Sequence, residues 1–333
     1  MPDAPVSLPL TDAEYWDAPS DEPVRLMRAL GQQGAEGVFL GLPARVPLEE
    51  RQTLPLLTVC HGPAQTPIAW RLAQRGVVVV VDPEARLVLA GRVSPSPPPG
   101  PPGASPRTGT TMTRERIDLR AHLGLPWRPS RLRVCVLQRD QRTPWVETEL
   151  VPSGRRFQDP EIARHLALLK ARMVPREVDP LPGDPLPRYT ADEDALAVPD
   201  TPGLALSADR VVVLEPGARC VLRGAFRVAA RPQELLPVGE AGQPTAIVGV
   251  TLVVIGADTP EPVTLRLRVP CFDAVDPEDP EVTGHFAMDL LAYPGLRKTP
   301  QTRFVYGFCG EHVGGPAAYA LVPLAWLPTE VAE

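Results

Sequence analysis

From Gly37 onward the chain is a succession of short apolar runs cut by Pro and Gly: Gly37 to Leu42, Leu54 to Val59, Ala69 to Leu72, Gly76 to Val81 and Arg86 to Val93. Runs of this length bounded by turn residues predict strands. Val77 to Val81 is five consecutive valines, the pattern of a buried strand, and Asp82-Pro83 behind it predicts a turn into the next run and hence a hairpin. Arg131 to Gln138 and Trp145 to Val151 follow, with Val146, Thr148 and Leu150 alternating against Glu147 and Glu149 as in an antiparallel pair half facing solvent. In the second half the runs are Arg210 to Leu214, Arg219 to Val228, Thr245 to Ile255, Val263 to Val269, Thr302 to Cys309 and Pro316 to Val322. Thr264, Arg266 and Arg268 alternate with Leu265, Leu267 and Val269, the signature of one wet face and one dry face.

Helical periodicity occurs at two places. Val24, Leu26, Met27 and Leu30 make an apolar stripe over about Glu22 to Gln33, inside an acidic leading segment of residues 1–36 that reads as a strap. Asp159-Pro160 supplies an N-cap and a proline at the first helical position, and Ile162, Leu166, Leu169 and Met173 recur at helical spacing behind it. Val174 to Gly203, dense in proline and acids, follows as a semi-rigid tether.

The later strands of the two halves resemble each other. Asp118 to Pro152 aligns without a gap on Asp289 to Pro323, with identity at Asp118/Asp289, Leu119/Leu290, Ala121/Ala292, Gly124/Gly295, Leu125/Leu296, Pro129/Pro300, Val134/Val305, Leu150/Leu321, Val151/Val322 and Pro152/Pro323. An offset of 171 residues is too long for a solenoid or propeller unit and implies duplication of a whole domain. The expected fold is mainly β: two tandem duplicated β-sandwich domains at 37–152 and 204–330, immunoglobulin-like or cupredoxin-like, joined over 153–203 by the helix and the proline-rich tether. The pattern does not choose between these topologies.

Composition narrows the function classes. The 44 prolines among 333 residues disfavour helices, and a net charge of −6 with singly scattered arginines lacks the basic stripe of a nucleic-acid binder. No apolar run approaches the ~20 residues of a membrane span, and the amino terminus has no signal-like apolar region. Five well-separated cysteines without a CxxC pair argue against a disulfide framework and for a reducing, cytoplasmic setting.

Candidate chemistry is sparse. Cys309-Gly310-Glu311-His312 lies between the last two strands, with His285 upstream, and the run YGFCGEH resembles the ligand loop of cupredoxins. That resemblance implies copper, or alternatively zinc, on Cys309, His312 and His285, through soft sulfur and imidazole. No Met follows His312, and Gln138 and Gln141 occupy the matching positions of the first copy, so only the second domain would bind metal. Cys60-His61 pairs a nucleophile with a base, but neighbours on a strand point to opposite faces. The chain has no GxSxG, GxGxxG, GxxxxGK[ST] or HExxH.

Two loops occupy the same place in the two copies with unrelated content: the polyproline stretch Ser94 to Ser105 and the acidic stretch Pro270 to Glu281, which holds Asp273, Asp276 and Asp279 but not in the order of an EF-hand. Trp127, replaced by Lys298 in the second copy, is a further contact candidate. The leading expectation is a non-catalytic scaffold or binding protein that holds no cofactor and presents these loops and Trp127, Asp273, Asp276 and Asp279 to a protein partner or to another copy. The alternative is a metal-binding or redox protein.

Overall fold

The computed structural model describes residues 37–63, 76–93, 110–152, 196–236, 243–257, 261–272, 280–293 and 295–326. The expected strap, the strand at Ala69 to Leu72, the polyproline stretch, the connector helix and Asp273, Asp276 and Asp279 lie outside the described residues.

The described chain is mainly β. Its first half runs β1 (Gly37–Gly41), β2 (Arg45–Pro47), β3 (Pro55–Pro63), β4 (Val77–Asp82), β5 (Leu87–Arg92), β6 (Thr110–Asp118), α1 (Leu119–Leu123), β7 (Ser130–Gln138), β8 (Gln141–Arg142) and β9 (Val146–Val151). Its second half runs β10 (Gly203–Ala208), β11 (Val211–Leu214), β12 (Val221–Ala229), β13 (Ala246–Gly256), β14 (Val263–Cys271), β15 (Glu281–Asp289), β16 (Gln301–Cys309) and β17 (His312–Pro323). Each half makes a small sheet, β1-β3-β6 or β10-β12-β15, and a larger one, β2-β9-β7-β4-β5 or β11-β17-β16-β13-β14. The two orders correspond strand for strand, including the parallel pairings β2 with β9 and β11 with β17.

Within each half the two sheets enclose a core in a sandwich-like manner. In the second, Leu222, Phe226, Val282, Phe286 and Met288 of the small sheet meet Val248, Val250, Leu252, Leu265, Leu267, Val305 and Tyr319 of the large one. Phe286 packs over Gly224 and Phe226 over Gly284, and these are the directly opposed pairs of β12 and β15. A Cβ at either glycine would collide with the facing ring, so the close approach requires glycine at both. In the first half, Val78 and Val80 of β4 and Leu132, Val134 and Val136 of β7 face inward with Leu54, Leu56 and Ile117.

The other faces of β4 and β7 are also buried. Val77, Val79, Val81, Val88, Cys135 and Leu137 pack against Val253, Ile255, Tyr306 and Phe308 of β13 and β16. The two larger sheets thus lie face to face, and the sheets stack in the order small, large, large, small. Each large apolar side chain dried at this junction contributes about 1.5–3 kcal/mol. The expectation of one wet face for the β7–β9 pair therefore holds for β9, where Glu147 and Glu149 are exposed, and fails for the C-terminal part of β7, which the second half covers.

Asp118 and Asp289 do the same local work in the two halves. The Asp118 carboxylate caps α1 by accepting from Arg120 N at 3.1 Å and also accepts from Leu54 N at 3.0 Å, ahead of β3. Asp289 accepts from Leu291 N and from Cys220 N, ahead of β12, both at 3.0 Å. Leu119 N donates to Leu54 O and Leu290 N to Cys220 O, each at 2.8 Å, which closes the same ring of bonds twice. One side chain thus fixes where the chain leaves the small sheet and where the neighbouring strand begins. Asp118→Ala and Asp289→Ala are each expected to lower stability by about 1–2 kcal/mol, and the two losses to add in the double variant, as measured by urea unfolding.

Candidate functional site

The residues nominated by sequence fall in different places. Cys309 ends β16, fully buried at the edge of the second core, and its cross-strand partner is His312, across the two-residue turn Gly310-Glu311. His285 sits on β15 in the small sheet, opposite Ala225, on the side away from Phe286 and Met288. The fold joins Cys309 to His312 and sends His285 to the far face of a different sheet. Among the described residues no group of three or more His, Cys, Asp or Glu side chains gathers to hold a metal ion. Trp127 packs on the first core, donates its indole N–H to Leu48 O at 3.1 Å and carries the Arg120 guanidinium 4.7 Å from its ring centre, so it closes the end of that core. Cys60 and His61 lie on β3, with side chains outside the described set. Cys135, Cys220, Cys271 and Cys309 are all free thiols.

What does surround Cys309 is a buried cluster that sequence reading missed. Arg86, in the turn after β4 with a left-handed φ of 47°, reaches from the first half into the second. Its Nη1 donates to Cys309 Sγ at 3.0 Å, its Nη2 donates to Ala229 O at 2.7 Å, and its Nε lies 2.7 Å from Glu234 Oε1. Glu234 also takes Arg231 Nη2 at 2.8 Å and Arg231 N at 2.9 Å. Arg231 reaches back to Glu84 O at 2.7 Å. The Arg86 and Glu234 side chains are only 7% and 5% exposed, so each needs the other. Gly310 also adopts left-handed φ, and a Cβ there would press on Arg86 Nη1 at 3.0 Å.

Electrostatics follow from this burial. Burial pushes the Cys309 thiol up to about 11, against the opposing charge of Arg86, so at neutral pH it is a protonated thiol rather than a thiolate. Burial would also raise the Glu234 carboxyl, but the Arg231 hydrogen bond and the Arg86 charge outweigh it and hold that carboxyl below its ordinary value. The arrangement is a polar latch between halves. Tyr306 adds a second latch, its buried hydroxyl donating across the junction to Arg139 O at 2.9 Å. Arg133 adds a more exposed bond to Glu311 at 3.2 Å.

The roots of the two divergent loops are firmly held. Val93 N donates to Gly76 O at 2.8 Å, and His122 Nε2 lies 2.7 Å from Arg92 O. At the second loop Thr245 N donates to Cys271 O and Ala230 N to Pro280 O, both at 2.7 Å. Each loop leaves the far strand of a larger sheet, β5 or β14, and returns to the small sheet at β6 or β15.

No protein-family model matches the chain, and no curated protein matches it. Among solved structures, one described as the complete structure of manganese lipoxygenase of Gaeumannomyces graminis and partial structure of zonadhesin of Komagataella pastoris has 8% identity, spanning 86% of this chain and 92% of that one, at a TM-score of 0.17. A score that low carries no argument about fold or function. No helix among the described residues is long and apolar enough to cross a membrane.

Arg86→Ala, which leaves Glu234 to Arg231 alone and removes the donor to Cys309, is expected to cost about 2 kcal/mol in urea unfolding at neutral pH. Because the Glu234 carboxyl is held low in the folded state, its stabilising contribution is fully present above the ordinary carboxylate value of about 4.3 and is lost as pH falls below that range. The gap between wild type and Arg86→Ala should therefore narrow on acidification, read as unfolding midpoints at a series of pH values.

Proposed function

We propose that this chain is a non-catalytic cytoplasmic scaffold or binding protein in which two duplicated, immunoglobulin-like β-sandwich domains are fused into one rigid body that presents loops to a protein partner. The observation that carries the reading is the dry face-to-face junction of the larger sheets, closed by Arg86, Glu234, Arg231 and Tyr306. A junction of that kind holds two sets of loops in one orientation, which is what recognition by loops on a rigid support requires.

Duplication is supported by the shared strand order, the two parallel edge pairings and the twin roles of Asp118 and Asp289. The immunoglobulin-like assignment rests on a small sheet of first, third and sixth strands against a larger sheet that carries a hairpin pair beside the last strands, as in variable-type domains. We set the domain limits at 37–152 and 204–330, with Gly203 at the start of β10 just outside the second. The loops at Ser94 to Ser105 and about Asp273, Asp276 and Asp279 differ in chemistry, one proline-rich and one acidic, on equivalent strands. That contrast fits recognition of a partner at one of them and not at both.

Replacing each loop in turn with a Gly-Ser spacer of equal length tests the reading. The expected outcome is loss of a co-purifying partner in one replacement, with the unfolding free energy within about 0.5 kcal/mol of wild type in both. Retention of every partner when both loops are replaced would count against it.

A further inference from the structure

The correspondence between halves exposes a difference on the outer face of the larger sheets. In the first half that face is charged: Arg45 lies beside Glu149 at 3.4 Å, and Arg131 and Arg133 both bond Glu147. At the positions 171 residues on, the second half has Thr302 for Arg131, Phe304 for Arg133, Ala318 for Glu147 and Ala320 for Glu149. Val211 takes the place of Arg45, because Arg45 pairs with Glu149 in β2–β9 and Val211 with Ala320 in β11–β17. A solvated ion-pair ladder in one copy is thus an uncharged strip in the other, made by Val211, Thr302, Phe304, Ala318 and Ala320.

The strip is open. Val211 is 59% exposed, and Leu324 and Trp326, in the 3₁₀ turn directly after β17, are 60% and 69% exposed. It is also continuous with the junction already described, since Phe304 on the same face packs against the cluster formed with the first half. One part of this sheet face is therefore covered by a similar sheet and the adjoining part is left uncovered by the described residues. A shallow depression of about 400 Å³ lies at its margin, lined by Leu206, Ala208, Arg210, Pro316 and Ala318 among others.

We propose that this strip is a self-complementary interface with a second copy of this chain. A two-fold contact places the same patch on both sides, which an uncharged strip meets without desolvating ions, whereas the ladder of the first half would have to desolvate its Arg and Glu side chains. The flanking charges select the direction. Arg210 precedes β11 and Glu215 follows it, both exposed, so a two-fold with the β11 strands antiparallel brings each Arg210 end to the Glu215 end of the other copy, whereas a parallel arrangement opposes like charges. Apolar surface of this kind at a sheet edge is the sort that natural proteins otherwise blunt with charge.

The test is sedimentation equilibrium of the full chain over a range of concentrations. Wild type is expected to shift from monomer toward dimer mass as concentration rises. Val211→Lys and Ala318→Glu, at exposed positions, should each weaken dimerisation by about tenfold or more with unchanged thermal midpoints. Arg210→Glu and Glu215→Arg should each weaken it by roughly twofold to fivefold, and the double variant should recover wild-type affinity. A wild type that stays monomeric at every concentration, a dimer unaffected by Val211→Lys and Ala318→Glu, or charge variants without mutual rescue would each overturn the proposal. The charge pair keeps the test decisive if a strip variant fails to fold.

Discussion

The structure depends on covering both faces of β4. Its five valines offer no polar side chain to water, and Val77 to Val81 are all essentially inaccessible. The small sheet of the first half dries one face, on Val78 and Val80, and a second apolar surface must dry Val77, Val79 and Val81. The second half supplies it with Val253, Ile255, Tyr306 and Phe308. From that requirement follow the order of the sheets, the burial of the far part of β7, and the change along β13 from alternating burial to burial at every position.

A dry junction then dictates its polar chemistry. Tyr306 must find an acceptor and takes a backbone carbonyl of the other half. Arg86 enters because its left-handed backbone turns the side chain across the junction, where Glu234, Cys309 and Ala229 O accept it. A buried ion pair contributes little net stability compared with an apolar filling of the same volume, but it strongly disfavours any alignment that leaves one charge alone. Hydrophobic burial drives the halves together, and the Arg86–Glu234–Arg231 cluster favours a single register between them.

The same scaffold carries two different surfaces. Where side chains face a core, the halves keep similar residues, such as Val134 and Val305 or Leu150 and Leu321. Where they face outward, the first half keeps an ion-pair ladder and the second replaces it with alanine, threonine and valine. Packing constrains the inner positions and leaves the outer ones open to change. Differences between the halves on the outer face are therefore the ones that packing constrains least.

Most strands were legible from local pattern. The valine run, the Asp82-Pro83 hairpin, the alternation of Arg266 and Arg268 against Leu265 and Leu267, and the repeat starting at Asp118 and Asp289 all coincide with elements or contacts in the structure. The strands missed were β2, which is three residues long, β6, which has only Met112 and Ile117 as large apolar side chains among its charges, β10, which opens on Gly203 at the end of the tether, and β15, whose alternating Val282, Phe286 and Met288 are interrupted by Gly284. The grouping of Cys309, His312 and His285 rested on the resemblance of YGFCGEH to a cupredoxin ligand loop, yet β15 and β16 belong to different sheets. Arg86 and Glu234 are separated by most of a domain and sit in stretches of ordinary polar composition, so nothing local marked them. By itself the sequence determined which residues pair within a hairpin and which face of a strand is apolar, because side-chain alternation and turn chemistry are properties of neighbouring residues. Only the tertiary structure decided which apolar face meets which, and which buried charges and thiols are brought together, because those depend on contacts between residues far apart in the chain.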